Sequence, residues 1–235
     1  MSPVRHSYSH SVPDNEQTAA VSPSGCLSGF VLPPLTVLTV GCLLVFYVSR
    51  LGDPTLYISE APPSVQTFSS VISPIFTPEV QHWGGQIVIW AATAGVDPNL
   101  AATVMQIESC GDPLARSRAG AIGLFQVMPF HFDALDNPYD PATNAARGLT
   151  YLRKALERAD GKYSLALAGY NGGIGVVGRS ESLWASETRR YVYWGEGIYA
   201  DALSGQAESP RLQEWLAAGG ASLCQQAHQR LGLQP

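Results

Sequence analysis

Apolar positions follow two different rules along this chain. From Gln17 to Ser49 there is no charged residue, and Val31 to Val48 is almost wholly apolar. Beyond about Thr77, apolar residues recur every three or four positions among scattered charges, the spacing of helices packed on one side. Leu27–Val48 is a run of 22 uncharged residues, long enough to cross a bilayer at about 1.5 Å per residue. Pro33 and Pro34 would kink or shorten a helix near its start. A cleavable signal peptide has a shorter apolar stretch and a small-residue exit. A lipoprotein-type cut before Cys42 would leave an apolar new N-terminus. An uncleaved signal anchor fits best, and residues 1–26 before it read as a disordered tail. Arg5 and Arg50 stand on opposite sides of residues 27–49, so flanking charge does not orient the segment.

Residues 50–78 carry Pro54, Pro62, Pro63, Pro74 and Pro78 among Ser and Thr, a composition that predicts a linker. From His82 the pattern is helical almost throughout. His82–Ala94 ends at Gly95. Asp97-Pro98 is an N-cap followed by proline at the first helical position, and the helix it opens stops at Cys110-Gly111. Asp140-Pro141 repeats the signal. Tyr163–Tyr170 is closed by Asn171-Gly172-Gly173, Ser186 to about Leu203 forms another helix, and Ser209-Pro210 and Ser222 open two more. Only Ala121–Met128 suggests irregular extended chain. The expected class is all-α, or α+β at most, with a domain over 79–203 and a helical extension over 204–235.

The net charge of −5 is mild, and no basic run alternates with aromatics, so nothing points to a nucleic-acid partner. Affinity for an anionic polymer would have to come from a shaped cleft rather than from long-range attraction. Four cysteines are too few for a disulfide scaffold and wrongly spaced for zinc. Cys26 and Cys42 belong to the apolar region. Cys110 and Cys224 could pair in an oxidising compartment, or remain two buried thiols.

Three features could carry chemistry. Glu108 ends an apolar helix beside Val104, Met105 and Ile107. Such a setting disfavours the ionised carboxylate and suits a general acid, although on position alone a solvated helix-end Glu is the commoner case. Gly120-Ala121-Ile122-Gly123-Leu124-Phe125-Gln126 predicts a tight loop in which Gln126 offers a donor and an acceptor to a sugar, or else satisfies backbone. Tyr170-Asn171 before two glycines is either a polar wall open to a ligand or a plain helix stop.

Ile107-Glu108-Ser109, Ser117-Arg118-Ala119-Gly120-Ala121-Ile122-Gly123-Leu124-Phe125-Gln126-Val127-Met128-Pro129, Ala168-Gly169-Tyr170-Asn171-Gly172-Gly173 and Glu187-Thr188-Arg189-Arg190-Tyr191-Val192 occur in that order. Over about residues 80–200 the chain thereby resembles the soluble lytic transglycosylases, relatives of goose-type lysozyme. The resemblance implies a lysozyme-like, two-lobed helical fold with a sugar cleft, and Glu108 as the catalytic residue. It implies that Ser109, Phe125, Gln126, Tyr170, Asn171 and Tyr191 surround the substrate, with Tyr170 close to the carboxyl. Glu187 and Arg189 would brace their helix. Phe125 stands where the family often has Met, and Gly-Tyr-Asn-Gly-Gly replaces the usual Ala-Tyr-Asn-Ala-Gly. No cofactor or metal is implied.

The implied partner is the peptidoglycan glycan strand. No second acid lies where the motifs would place a catalytic pair. Asp112, Asp133, Asp136 and Asp140 are nearby in sequence, and Asp112 and Asp140 have ready turn and cap roles. One carboxylate suffices if the substrate supplies the nucleophile and closes a 1,6-anhydro ring. Alternatives are a goose-type hydrolase in which an aspartate positions water, a chitin-directed relative, and an inactive wall-binding module. A wall-cleaving domain must lie outside the cytoplasmic membrane, so the resemblance places residues 50–235 outward, or in a secreted form if the segment is cleaved. It also favours a Cys110–Cys224 bridge.

Overall fold

The structure is a computed structural model that describes residues 71–234. The expected tail 1–26, the membrane segment 27–49 and most of the linker lie outside the described residues. Among those described, no single helix is long and apolar enough to cross a membrane.

Eight α-helices are described: α1 (Pro78–Gln81), α2 (Gly84–Ala94), α3 (Pro98–Glu108), α4 (Pro141–Arg158), α5 (Tyr163–Gly172), α6 (Ser186–Leu203), α7 (Pro210–Trp215) and α8 (Ala221–Leu231). Short 3₁₀ turns occupy Pro129–His131, Ile174–Val176 and Glu181–Leu183, and a π-helical turn, Leu216–Gly220, joins α7 to α8. Extended pairing among the described residues is limited to isolated antiparallel bridges of Ile122 with Arg116 and Val127, inside the stretch expected to be irregular.

Helix α3 is the axis of the domain. Asp97 caps it by accepting from the backbone N–H of Asn99 and Leu100 at 2.8 and 3.2 Å, and Pro98 fills the first turn. Every residue from Pro98 to Gln106 is buried, so α3 is covered on all sides, and α1, α2 and α6 pack against it. Helix α4 is amphipathic instead. It turns Ala145, Leu149, Leu152 and Ala155 inward and holds an Arg153–Glu157 ion pair on its solvent face. Asp140 caps it through Thr143 N at 2.8 Å. Helix α5 lies against both α4 and α6.

The packed domain begins earlier than the proline pattern suggested. Ile72, Ile75 and Phe76 are core residues, Ser73 N donates to Asn99 Oδ1 at 2.6 Å, and Thr77 donates to Gln106 Oε1 at 3.2 Å. Prolines exclude regular helix or strand here but do not prevent burial of the apolar residues between them. The helix expected from His82 starts at Gly84 with Trp83 at its N-cap position, and the short helix α1 before it ends at Gln81. At the other end, α8 folds back onto the domain. A Cys110–Cys224 disulfide, a His228 Nδ1–Glu79 Oε1 contact of 2.9 Å and an Arg230–Asp112 pair at 2.5 Å fasten it behind the end of α3.

Candidate active site

Glu108 is the last residue of α3, where the helix emerges from the core. Its carboxyl is half-buried and faces a cleft of about 520 Å3, whose walls include Ser117, Gln126, Tyr170, Asn171 and Glu187. Burial pushes its pKa from 4.5 up to about 8. The adjacent Tyr191 phenol pulls it down, and the negative charge of Glu187 pushes it up. Hydrogen-bonding geometry between Tyr191 and Glu108 is not met: Tyr191 Oη is buried without a partner. Burial and the Glu108 charge together raise the pKa of Tyr191, so it remains a neutral phenol.

The opposite wall is built by main-chain anchoring. After Glu108 the chain reverses through Cys110 (φ 52) and Gly111 (φ 83), then forms the loop that ends at Gln126 (φ 45). Cys110 and Gln126 are non-glycine residues in the left-handed region, a strained setting common at functional sites. Three side chains hold the loop, those of Ser109 and Asn144 buried and that of Tyr170 partly so. Ser109 Oγ donates to Leu124 O at 2.7 Å and accepts from Gly111 N at 3.1 Å. Asn144 donates to the carbonyls of Ile122 and Pro138 at 2.8 and 3.0 Å, and its Oδ1 accepts from Phe125 N at 2.9 Å. Tyr170 Oη donates to Phe125 O at 2.7 Å.

Two glycines permit these approaches. A Cβ on Gly123 would lie 2.5 Å from Asn144 Nδ2, and one on Gly148 would lie 2.5 Å from Phe125 Cβ. Gln126 Nε2 donates back to Gly123 O at 3.0 Å, which sets the plane of the carboxamide at the cleft.

Of the residues expected to surround a substrate, Gln126, Tyr170 and Asn171 line the cleft with Glu108, and Tyr191 lines an adjoining hollow with Glu108, Glu187, Arg190 and Trp194. Two do not reach it. Phe125 is 0% exposed and packs in the core, so it offers no face to a sugar. The loop turns Gln126 outward, and its neighbour is driven inward as the larger apolar group. Ser109 is likewise 0% exposed, its hydroxyl spent on bracing Leu124.

Glu187, expected to brace α6, instead presents an exposed side chain to the cleft, while Arg189 does tie backbone, donating to Trp184 O at 2.5 Å. Asn144 is the positioning residue that the motif reading did not single out. Its one local signal is an amide at the start of a helix interior, where Asn is unfavourable unless it has other bonds to make. Tyr170 lies close enough to Glu108 for the carboxylate charge to raise its pKa, but its hydroxyl is committed to Phe125 O.

The four aspartates near these motifs are engaged elsewhere. Asp112 is 1% exposed and paired with Arg230. Asp133 and Asp136 both hold Arg147, and Asp140 caps α4. The two carboxylates lining the cleft are Glu108 and Glu187.

Residues 86–191 match the family described as the transglycosylase SLT domain. The chain is 37% identical over 112 residues to a transglycosylase of Enterobacteria phage PRD1, covering 47% of this chain and 40% of that protein. It is 30% identical over 86 residues to membrane-bound lytic murein transglycosylase E of Buchnera aphidicola, covering 31% of this chain and 39% of the relative. Membrane-bound lytic murein transglycosylase C of Histophilus somni is 29% identical over 146 residues, covering 54% and 38%. The chain thus spans about two-fifths of the length of these relatives. A solved structure of an inactive mutant of the lytic transglycosylase Slt from Pseudomonas aeruginosa aligns with 53% of this chain and 24% of its own, at 26% identity and a TM-score of 0.42.

Proposed function

With residues 86–191 forming an SLT-type transglycosylase domain, we propose that the chain is a peptidoglycan lytic transglycosylase with Glu108 as its acid and base. It cleaves the β-1,4 bond from N-acetylmuramic acid to N-acetylglucosamine and leaves a 1,6-anhydro end. The observation that carries this reading is a carboxyl held protonated near neutral pH, by burial, at the wall of a polar cleft. We read the domain as lysozyme-like and two-lobed, with the cleft between the lobes.

In the first step Glu108 gives its proton to the glycosidic oxygen, and the C1–oxygen bond breaks. The substrate's own N-acetyl oxygen attacks C1 and takes up the developing positive charge, so no protein nucleophile is needed. In the second step the Glu108 carboxylate removes the proton from the C6 hydroxyl. That oxygen attacks C1, displaces the acetyl oxygen and closes the ring, leaving Glu108 protonated again. An attacker already tethered to the reacting ring has a large advantage over water. Gln126, Tyr170 and Asn171 orient the sugars, and Tyr191, with a hydroxyl in need of a partner, steadies Glu108 when it is ionised.

The test is mass spectrometry of muropeptides released from purified sacculi by the full chain and by Glu108→Gln. Anhydro-muramic ends from the parent and none from the variant are expected. Reducing-end muramic acid would instead point to hydrolysis, and Glu187 is then the cleft carboxylate placed to hold a water. A shortened chain starting at residue 78 should be avoided, since it would strip Ile72, Ile75 and Phe76 from the core.

We also read the domain as extracytoplasmic, held to the membrane by residues 27–49. Support comes from the apolar segment, from a disulfide that suits an oxidising compartment, and from relatives named as membrane-bound. Cell fractionation with protease accessibility would test it: a domain protected from external protease in spheroplasts would reject the outward orientation.

A further inference from the structure

From Val80 to Val96 the chain has no Asp, Glu, Lys or Arg, yet α2, in the middle of that run, is a surface helix. Ile87 and Ala91 face the core, while His82, Gly85, Gln86, Ile89, Ala92 and Thr93 form an exposed strip at helical spacing. Ile89, at the centre of the strip, is 65% exposed. Thr93 Oγ1 donates to Ile89 O at 2.8 Å, so its hydroxyl is spent on backbone. Trp83 and Trp90 stand half-buried along one edge, with ring centroids 6.0 Å apart. The outer faces of α4, α6 and α8 carry Arg153, Glu187 and Arg230 respectively. A helix face that meets only water has that charged character, and the α2 face lacks it.

The strip begins where the packed chain enters the domain. A Cβ on Gly84 would lie 3.5 Å from Ile72 Cγ1, and Gln81 Nε2 donates to Ser73 O at 2.7 Å. Val71, Ile72, Gln81, Gly84 and Gly85 line a hollow of about 260 Å3 at this end. Residues 49–70 join this point to the apolar run that ends at Val48, and they span no more than about 80 Å even if fully extended. At the other end of α2, Arg153 donates to Gly95 O at 2.8 Å and is paired with Glu157, so no net charge is added there.

Resting on the reading of residues 27–49 as a membrane anchor, we propose that the exposed strip of α2 is a second membrane contact, laid on the headgroup–acyl boundary of the bilayer that holds the tether. An uncharged strip with an aliphatic centre and tryptophans at its edge matches that boundary, where tryptophan is enriched. One large aliphatic side chain binds lipid weakly by itself. The tether makes the contact intramolecular and raises its effective concentration. No residue of α2 lines the cleft. Helix α3 leaves the end of α2 at a bend of 117° and runs about 15 Å before it reaches Glu108. A docked α2 therefore fixes how the domain stands on the membrane and leaves the cleft open to a glycan strand.

The experiment uses the full chain with Cys26→Ser and Cys42→Ser, its disulfide left intact, reconstituted in phosphatidylcholine vesicles. An environment-sensitive fluorophore is attached at Ile89→Cys or, as a control, at Leu183→Cys, a position that is 70% exposed. Nitroxide-labelled lipid should quench the probe at 89 roughly twofold or more beyond the probe at 183, because a docked strip sits within about 5–10 Å of the boundary. Adding Gln86→Asp, which puts a charge on the strip, should bring quenching at 89 down to the control level. Phosphatidylcholine alone suffices, since the strip has no charge for anionic lipid to attract. Equal quenching at 89 and 183 in a chain that carbonate washing leaves on the vesicles overturns the contact alone. A blue-shifted probe at 89 without lipid quenching means that a second copy covers the strip, and overturns it too. A chain that carbonate extracts overturns the tether, and the contact with it.

Discussion

The two walls that flank Glu108 are made in opposite ways. On the loop wall, Ser109, Asn144 and Tyr170 spend their side chains on the carbonyls of Leu124, Ile122 and Phe125, so polar atoms are fully occupied in holding backbone. On the α6 wall, Glu187 and Arg190 are exposed and Tyr191 Oη has no partner. The loop wall stores shape, and the α6 wall supplies charge and an uncommitted hydroxyl. Damage to the first should cost stability and activity together, whereas changes in the second should move the pH dependence and leave the fold intact.

The largest effect belongs to the group between the walls. Glu108→Gln should lower the turnover of sacculi by about 10²- to 10⁴-fold, the usual contribution of a general acid or base. The same variant reads out the cost of burying a carboxylate. With a folded pKa of about 8 against 4.5 unfolded, the protonated acid favours the folded state below pH 4.5, and that contribution is lost as pH rises through 8. Thermal denaturation across pH should therefore show Glu108→Gln gaining on the parent as pH climbs. Parallel curves for the two proteins would mean that the carboxyl is not desolvated.

Next comes the disulfide, which lies outside both walls but anchors the turn from which the loop wall starts. Cys224→Ser should cost about 2–5 kcal/mol in denaturant unfolding, with no shift in the pH profile of turnover. Asn144→Ala strikes the loop wall itself. It strips the Pro138 carbonyl and the Phe125 N–H of their partner and the Ile122 carbonyl of one of two donors, and a loss of about 1–3 kcal/mol is expected, accompanied by lower turnover. If stability falls while turnover holds, the loop does not need this anchor to present Gln126.

The smallest effect tests the α6 wall. Glu187→Gln removes a negative charge that raises the Glu108 pKa, so the alkaline limb of the rate profile should move to lower pH with the unfolding midpoint unchanged. A limb that stays in place would remove Glu187 from the electrostatics of the site.

Much of this was written locally. The helices beginning at Asp97-Pro98 and at Asp140-Pro141 were legible because each start depends on a cap and its first turn, which neighbouring residues alone determine. Glu108 could be singled out because it follows an apolar helix and precedes the Gln126 and Tyr170-Asn171 motifs in order. Phe125 and Ser109 were misplaced by the same reading. Motif membership says that a residue belongs to the site's neighbourhood but not which way it faces, and both turned inward.

The sequence alone determined where the helices start and stop, the apolar surroundings of a carboxyl at one helix end, and the ordered motifs. Each is a short-range property of propensity, capping or pattern. Tertiary structure decided the rest. It set which member of Phe125-Gln126 meets the cleft, brought Glu187 across to face Glu108, made Asn144 the staple of the loop, and drew Ile72–Phe76 into the core. These outcomes depend on burial and hydrogen-bond partners far away along the chain, and no local pattern encodes which distant group will be there to satisfy a carbonyl or cover a side chain.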